Sequence, residues 1–332
     1  GGTWSGGAGS FVPDADDLNA LYNPTAAEIA AGSLDLTLTS TSNGTCNAES
    51  DIVTITFTAP PTANAGIDQT VCANSPVVNL NGNVSLATGG QWSGGNGTFN
   101  PDNASLGATY TPSAAEIAAG TVTLTLTTTG NGNCLAVDDA MTITITPAPV
   151  VEAGAGAVLC ANNADITLNG SVTVATGGQW SGGSGTFTPD ASTLNAVSSP
   201  SATEILNGSV TLTLTSTGNG DCIAVSDDVT YTFSDAPTAN AGTDITVCEN
   251  NADVSLGGSV TIAGGGVWSG GAGIFTPNAN DLNAVYTPTA GEIAAGTLTL
   301  TLTTTGNGTC NAVSDDVDIT FSDAPEVNAG VD

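Results

Sequence analysis

The chain has 332 residues, 31 of them acidic, with no lysine, arginine or histidine and a formal net charge of −31. That composition excludes side-chain ion pairs within the chain and leaves nothing to neutralise phosphates, so nucleic acid is not an expected partner. A hydrophobic content of 40%, arranged in clean alternation, also excludes a disordered acidic tail.

A strict period governs the sequence. Trp4, Trp92, Trp180 and Trp268 stand 88 residues apart. Cys72, Cys160 and Cys248 keep the same spacing, as do Cys46, Cys134, Cys222 and Cys310. No insertion separates the copies, so the chain is a tandem array. The period is too long for a solenoid unit and suits a small all-β domain. Short proline-containing junctions (Ala59-Pro60-Pro61, Pro147-Ala148-Pro149, Asp235-Ala236-Pro237) set the expected boundaries. These give the C-terminal part of a truncated repeat at 1–61, complete repeats at 62–149, 150–237 and 238–325, and the start of another at 326–332. The chain thus reads as an excerpt of a longer polymer of domains. No apolar run reaches the roughly 18 residues of a membrane helix.

Within the repeat 62–149, Ile67–Cys72 is predicted as the first strand and Val77–Ser85 as a second, with Val78, Leu80 and Val84 on one face. Short strands are expected around the glycines of Thr88–Phe99 and at Ala108–Thr111. Pro112–Gly120 turns helical: Ser113 and Glu116 have capping-box spacing, and Gly120 is placed as a C-terminal cap. Thr121–Thr129 alternates Val122, Leu124 and Leu126 with threonines, the period-two pattern of a half-buried strand. Gly130-Asn131-Gly132 then turns the chain into Cys134. A short strand at Leu135–Val137 and a last one at Met141–Thr146 complete six to eight strands. The predicted class is all-β, tandem Ig-like or PKD-like β-sandwich domains with one short helix per repeat.

Seven cysteines at fixed places imply a disulfide framework and an oxidising, extracellular setting. Two pairings present themselves. Cys72–Cys134, Cys160–Cys222 and Cys248–Cys310 would close loops within single repeats and leave Cys46 to pair with a residue before Gly1. Cys46–Cys72, Cys134–Cys160 and Cys222–Cys248 would staple neighbouring domains and strand Cys310. The first is preferred because it stabilises each domain independently, by on the order of 4 kcal/mol in the chain-entropy model.

Other motifs are weighed on their chemistry. Trp92, between glycines, reads as a core tryptophan ahead of a sugar platform, because further aromatics are scarce. GGNGTF (Gly94–Phe99) and GGSGTF (Gly182–Phe187) lack the helix and lysine of a phosphate loop and read as turns. Calcium is the one plausible ion, with Asp139, Asp227 and Asp315 as candidate ligands because they share a repeat position with Asp51. That position also suits a cap on the turn before the last strand. The recurring Glu28, Glu116, Glu204 and Glu292 are assigned to helix capping. No cofactor and no catalysis are expected, since there is no histidine base, lysine nucleophile or arginine clamp.

ANAGIDQTVC (Ala63–Cys72), WSGGNGTF (Trp92–Phe99) and the closing strand Val53–Phe57 resemble the immunoglobulin-like and PKD-like repeats of giant Bacteroidetes surface adhesins. Those are of the gliding-motility and type IX-secreted kind. The resemblance covers all the repeats. Two departures stand out: Cys72 ends the first strand instead of lying on the second, and WSGGNG replaces the acidic W-D-F-G-D-G segment. The resemblance implies an outer-surface, stalk-like or adhesive role on a bacterial cell. The array itself suggests a structural section of an extracellular filament, each repeat advancing it by roughly 35–45 Å. A multivalent glycan- or partner-binding module is the alternative. Expected partners are neighbouring repeats, surface glycans and other copies of the filament.

Overall fold

The computed structural model describes residues 1–328, in two compact units, the first Gly1–Ala148 and the second beginning at Pro149. In the first unit, residues 62–146 fold into nine strands and a helix. They run β1 (Thr62–Asn64), β2 (Gln69–Cys72), β3 (Val78–Asn79), β4 (Asn83–Ser85), β5 (Gly89–Ser93), β6 (Thr98–Asn100), β7 (Thr109–Thr111), α1 (Ala114–Ala119), β8 (Thr121–Thr129) and β9 (Asp138–Thr146). A four-stranded sheet has the order β5-β8-β9-β2, antiparallel except for the β9–β2 pair, which is parallel. The sheet β6-β7-β3 lies against it, and β1 pairs with β4.

The alternation of β8 makes this a sandwich. Val122, Leu124, Leu126 and Thr128 point inward, and the threonines between them face out. Opposite them in register are Trp92 on β5 and Met141 and Ile143 on β9. The second sheet closes the core with Val78 and Tyr110, and Phe99 packs on the cluster. Helix α1 spans six residues with the predicted cap at each end. The Ser113 hydroxyl accepts from the Glu116 amide, and Gly120 takes φ 77°, the left-handed region where glycine carries no Cβ penalty.

The second unit holds two further copies of this arrangement. Their four-stranded sheets are built on Ser209–Thr217 with Ser226–Ser234, and on Thr297–Thr305 with Ser314–Ser322. Each copy has its own core, around Trp180 and around Trp268. In the first unit, residues 1–61 carry the matching partial set: the sheet Gly2–Ser5, Ser33–Ser40 and Ser50–Thr56, the pair Ser10–Val12 and Leu21–Asn23, and the helix Ala26–Ala31. The fold is therefore all-β, a tandem of Ig-like sandwiches with one short helix per repeat. Of the segment 326–332, the last four residues lie outside those described.

Three local expectations are corrected. Val77–Ser85 is not one strand. Its backbone leaves the three-stranded sheet after β3, with Leu80 and Gly82 bonding to Ala108 and Leu106 carbonyls, and joins β1 as β4. The inward alternation of Val78, Leu80 and Val84 continues through this switch, so periodicity cannot mark it. Leu135–Val137 is not a strand, although the Val137 carbonyl does accept from the Thr128 amide at 2.9 Å. The last strand starts three residues earlier than predicted, at Asp138.

Candidate functional site

The acidic residues have structural work. Asp139 faces back across the sandwich, and its carboxylate accepts from the Ala65 amide at 2.8 Å. Asp227 holds Ala153 and Asp315 holds Ala241 at the same distance. The recurring aspartate thus ties the last strand to the start of its repeat, 74 residues upstream, and does not cap the adjacent turn. Among the described residues no three histidine, cysteine, aspartate or glutamate side chains form a group suited to a metal ion.

The recurring glutamate does more than cap its helix. Glu116 accepts at one oxygen from the Ser113 amide and hydroxyl, at 2.7 and 2.8 Å. Its other oxygen accepts from the Asn96 amide at 2.7 Å and the Tyr110 hydroxyl at 2.8 Å. The helix start is thereby fastened to the Gly94–Gly97 turn. Burial works against the Glu116 charge, but these four donors prevail and lower its pKa. In Glu292 the same balance, burial against donors led by the Thr289 amide, holds the carboxyl at about 2. Burial, then the bond to Glu116, pushes Tyr110 up to about 12. Trp92 is fully buried, with its indole nitrogen donating to the Leu106 carbonyl at 3.3 Å. It is a core residue and offers no face to a sugar.

The cysteines depart from both predicted pairings. Cys160 is bonded to Cys310, 150 residues away, with Cα atoms 5.1 Å apart. Cys72 and Cys222 are also disulfide-bonded, whereas Cys46, Cys134 and Cys248 are free thiols. The pairs Cys72–Cys134, Cys160–Cys222 and Cys248–Cys310 therefore do not form, and Cys46 is an exposed thiol. The reason is geometric. Cys160 ends the second strand of its repeat, after Val150–Glu152 and not the first as expected, and it lies beside Ser234 at the end of the last strand, so it sits where the chain leaves the domain. Cys310 lies in the turn of the following repeat that faces the same exit. Both sulfurs approach one linker carbonyl, that of Asp235, at 3.8 and 3.9 Å.

Hydrogen bonds surround this bridge. The Asn162 amide group donates to the Asn311 carbonyl at 3.0 Å, and its oxygen accepts from the Asn311 backbone at 3.1 Å. The Asn311 side chain donates to the Asn162 carbonyl at 2.8 Å, and Asn163 donates to the Thr309 carbonyl at 3.1 Å. The loop Cys160–Asn163 and the turn Thr309–Asn311 thus form a clasp between adjacent repeats. C-x-N-N after the second strand is visible in the sequence, but its partner is not.

No helix among the described residues is long and apolar enough to cross a membrane. No protein-family model and no curated protein matches the sequence. Among solved structures, the chain is similar to titin domains I67–I69 in an E-to-A mutated variant. The identity is 12%, the match covers 80% of this chain and 99% of that one, and the TM-score is 0.40. It is also similar to the protocadherin GammaB4 extracellular domain, at 14% identity, covering 97% of this chain and 59% of that one, with a TM-score of 0.35. Drosophila N-cadherin EC1-4 is similar at 14% identity, with 97% and 92% covered and a TM-score of 0.30.

Proposed function

We propose that the chain is a load-bearing section of an extracellular filament or adhesin stalk on a bacterial surface. The resemblance of its repeat motifs to Bacteroidetes adhesins of the type IX-secreted kind supports the location. The observation that carries the mechanical part is the Cys160–Cys310 bridge. It joins the end of one repeat's second strand to the next repeat's turn, so tension entering at Cys160 can pass to Cys310 without running through the residues between them. Those residues contain most of two sandwiches, which the bridge shelters from stretching. In the chain-entropy model a loop of this length also stabilises the enclosed domains by on the order of 5 kcal/mol.

Pulling single molecules by their ends tests this. The double variant Cys160→Ser/Cys310→Ser should release additional length in discrete unfolding steps that the oxidised parent lacks. Equal extension of parent and variant would remove the load-bearing role.

A further inference from the structure

We propose that the turn ending in Cys134 is a docking and cross-linking site for the strand-end cysteine loop, C-x-N-N, of another repeat of this class. The inference rests on the tandem-array reading, because the incoming loop belongs to such a repeat.

The formed clasp in the second unit shows what the site accepts. In the turn of Cys310, the amide of Cys310 bonds to the Asn307 carbonyl at 3.0 Å, and Gly306 and Gly308 take φ 67° and 62°. The turn of Cys134 repeats this: its amide bonds to the Asn131 carbonyl at 3.1 Å, and Gly130 and Gly132 take φ 65° and 61°. The Cys134 thiol also donates to the linker carbonyl of Ala59 at 3.9 Å, as Cys310 lies 3.9 Å from Asp235. The acceptor half is therefore already built at Cys134, but its thiol is free. An open cavity stands in front of it, lined by Thr58, Ala59, Leu86, Thr88 and the Gly130–Cys134 turn.

The clasp is read chiefly from acceptor backbone. Three of its four hydrogen bonds use the backbone of residues 309 and 311, whose equivalents are Asn133 and Leu135. Only the bond from the Asn311 side chain has no counterpart, since Leu135 replaces it. The donor side is what carries identity, in Asn162 and Asn163. The loop after Cys248 has the same pair, Asn250 and Asn251, and the Cys248 thiol donates to the Asp323 carbonyl at 3.8 Å, as Cys160 lies 3.8 Å from Asp235.

Closing the bridge removes one proton from each thiol and two electrons from the pair. A disulfide of a small thiol accepts the electrons and leaves as two thiols. When the incoming cysteine is already a mixed disulfide, the Cys134 thiolate attacks it and a single thiol leaves.

The test uses the full chain and a synthetic peptide, residues 159–165 (LCANNAD), activated as the mixed disulfide with thionitrobenzoate. Labelling at Cys46, Cys134 and Cys248 is mapped by mass spectrometry after cleavage at acids, and each rate is divided by that for the free aromatic disulfide. Cys134 should lead Cys248, which ends a strand and has no such turn, by about tenfold. A peptide with both asparagines changed to alanine should lose that lead. Leu135→Asn, at an exposed position, should speed the parent peptide roughly three- to tenfold by adding one hydrogen bond. Equal normalised rates at Cys134 and Cys248, or a lead retained by the alanine peptide, would overturn the docking. Either result would leave the stretching difference at Cys160–Cys310 untouched, so the two ideas fail separately.

Discussion

Glu116 shows how a chain without a single basic side chain carries carboxylates inside its folds. Donors come from amides and hydroxyls in place of cations, four to one carboxylate. The consequence is a pH window. The folded carboxyls of Glu28 and Glu292 lie at about 2, below the ordinary glutamate value. Between roughly pH 4.5 and 2 the unfolded state binds more protons, so stability is complete above that range and falls as pH drops through it. Tyr110 and Tyr286, raised to about 12, act at the other end. Their contribution is complete below roughly pH 10 and declines above it, because the unfolded phenol loses its proton first. Denaturant midpoints should therefore form a plateau between these limits, with acid loss abolished at one repeat by Glu116→Gln. Asp139 belongs to the same scale. Asp139→Ala leaves the Ala65 amide without its acceptor and should cost about 1–3 kcal/mol. The loss should be the same with calcium or a chelator present, since the carboxylate serves a backbone amide; a calcium-dependent loss would assign it to an ion.

At the scale of the element, the long strand and the tryptophan opposite it define each core. Trp92→Ala should destabilise its repeat by about 3–5 kcal/mol, measured by urea unfolding. Gly82 is its structural counterpart. A Cβ there would meet Trp92 Cζ2 at 2.7 Å and Leu126 Cδ2 at 2.8 Å, so the backbone passes directly over the indole. Gly82→Ala should cost about 1–3 kcal/mol by overpacking, although its backbone needs no left-handed angle. Gly170 and Gly258 repeat the contact against Trp180 and Trp268. The sequence displays these glycines at the 88-residue period, but their reason appears only where the chain changes sheets between β3 and β4. The same crossing explains why one predicted strand became two.

For the whole chain, 31 acids meet no opposing side chain. Exposed like charges repel over a Debye length, which shrinks from about 30 Å at 0.01 M salt to about 8 Å at physiological strength. Thermal stability should therefore rise as salt is added at low ionic strength and level off near the physiological range. A fall over that interval would show that attraction, not repulsion, governs the surface. A bridge between repeats is well placed against such repulsion, because it holds neighbouring domains together where no ion pair can form.

The sequence by itself determined the local structure: strands where threonine alternates with aliphatics, helix ends where serine or threonine precedes glutamate by three, and turns at Gly-Asn-Gly. Local rules suffice there, because each depends on residues a few positions apart. Which cysteine meets which was decided only in three dimensions. In a chain of strict period, a partner within the repeat and a partner in the next one differ by one full period, and every local signal is identical for both. The choice falls to the domain exit, where the end of the second strand, the linker carbonyl of Asp235 and the following turn converge. Asp139 was legible as a recurring acid for the same reason and misassigned for the same reason, since the amide it serves lies 74 residues away.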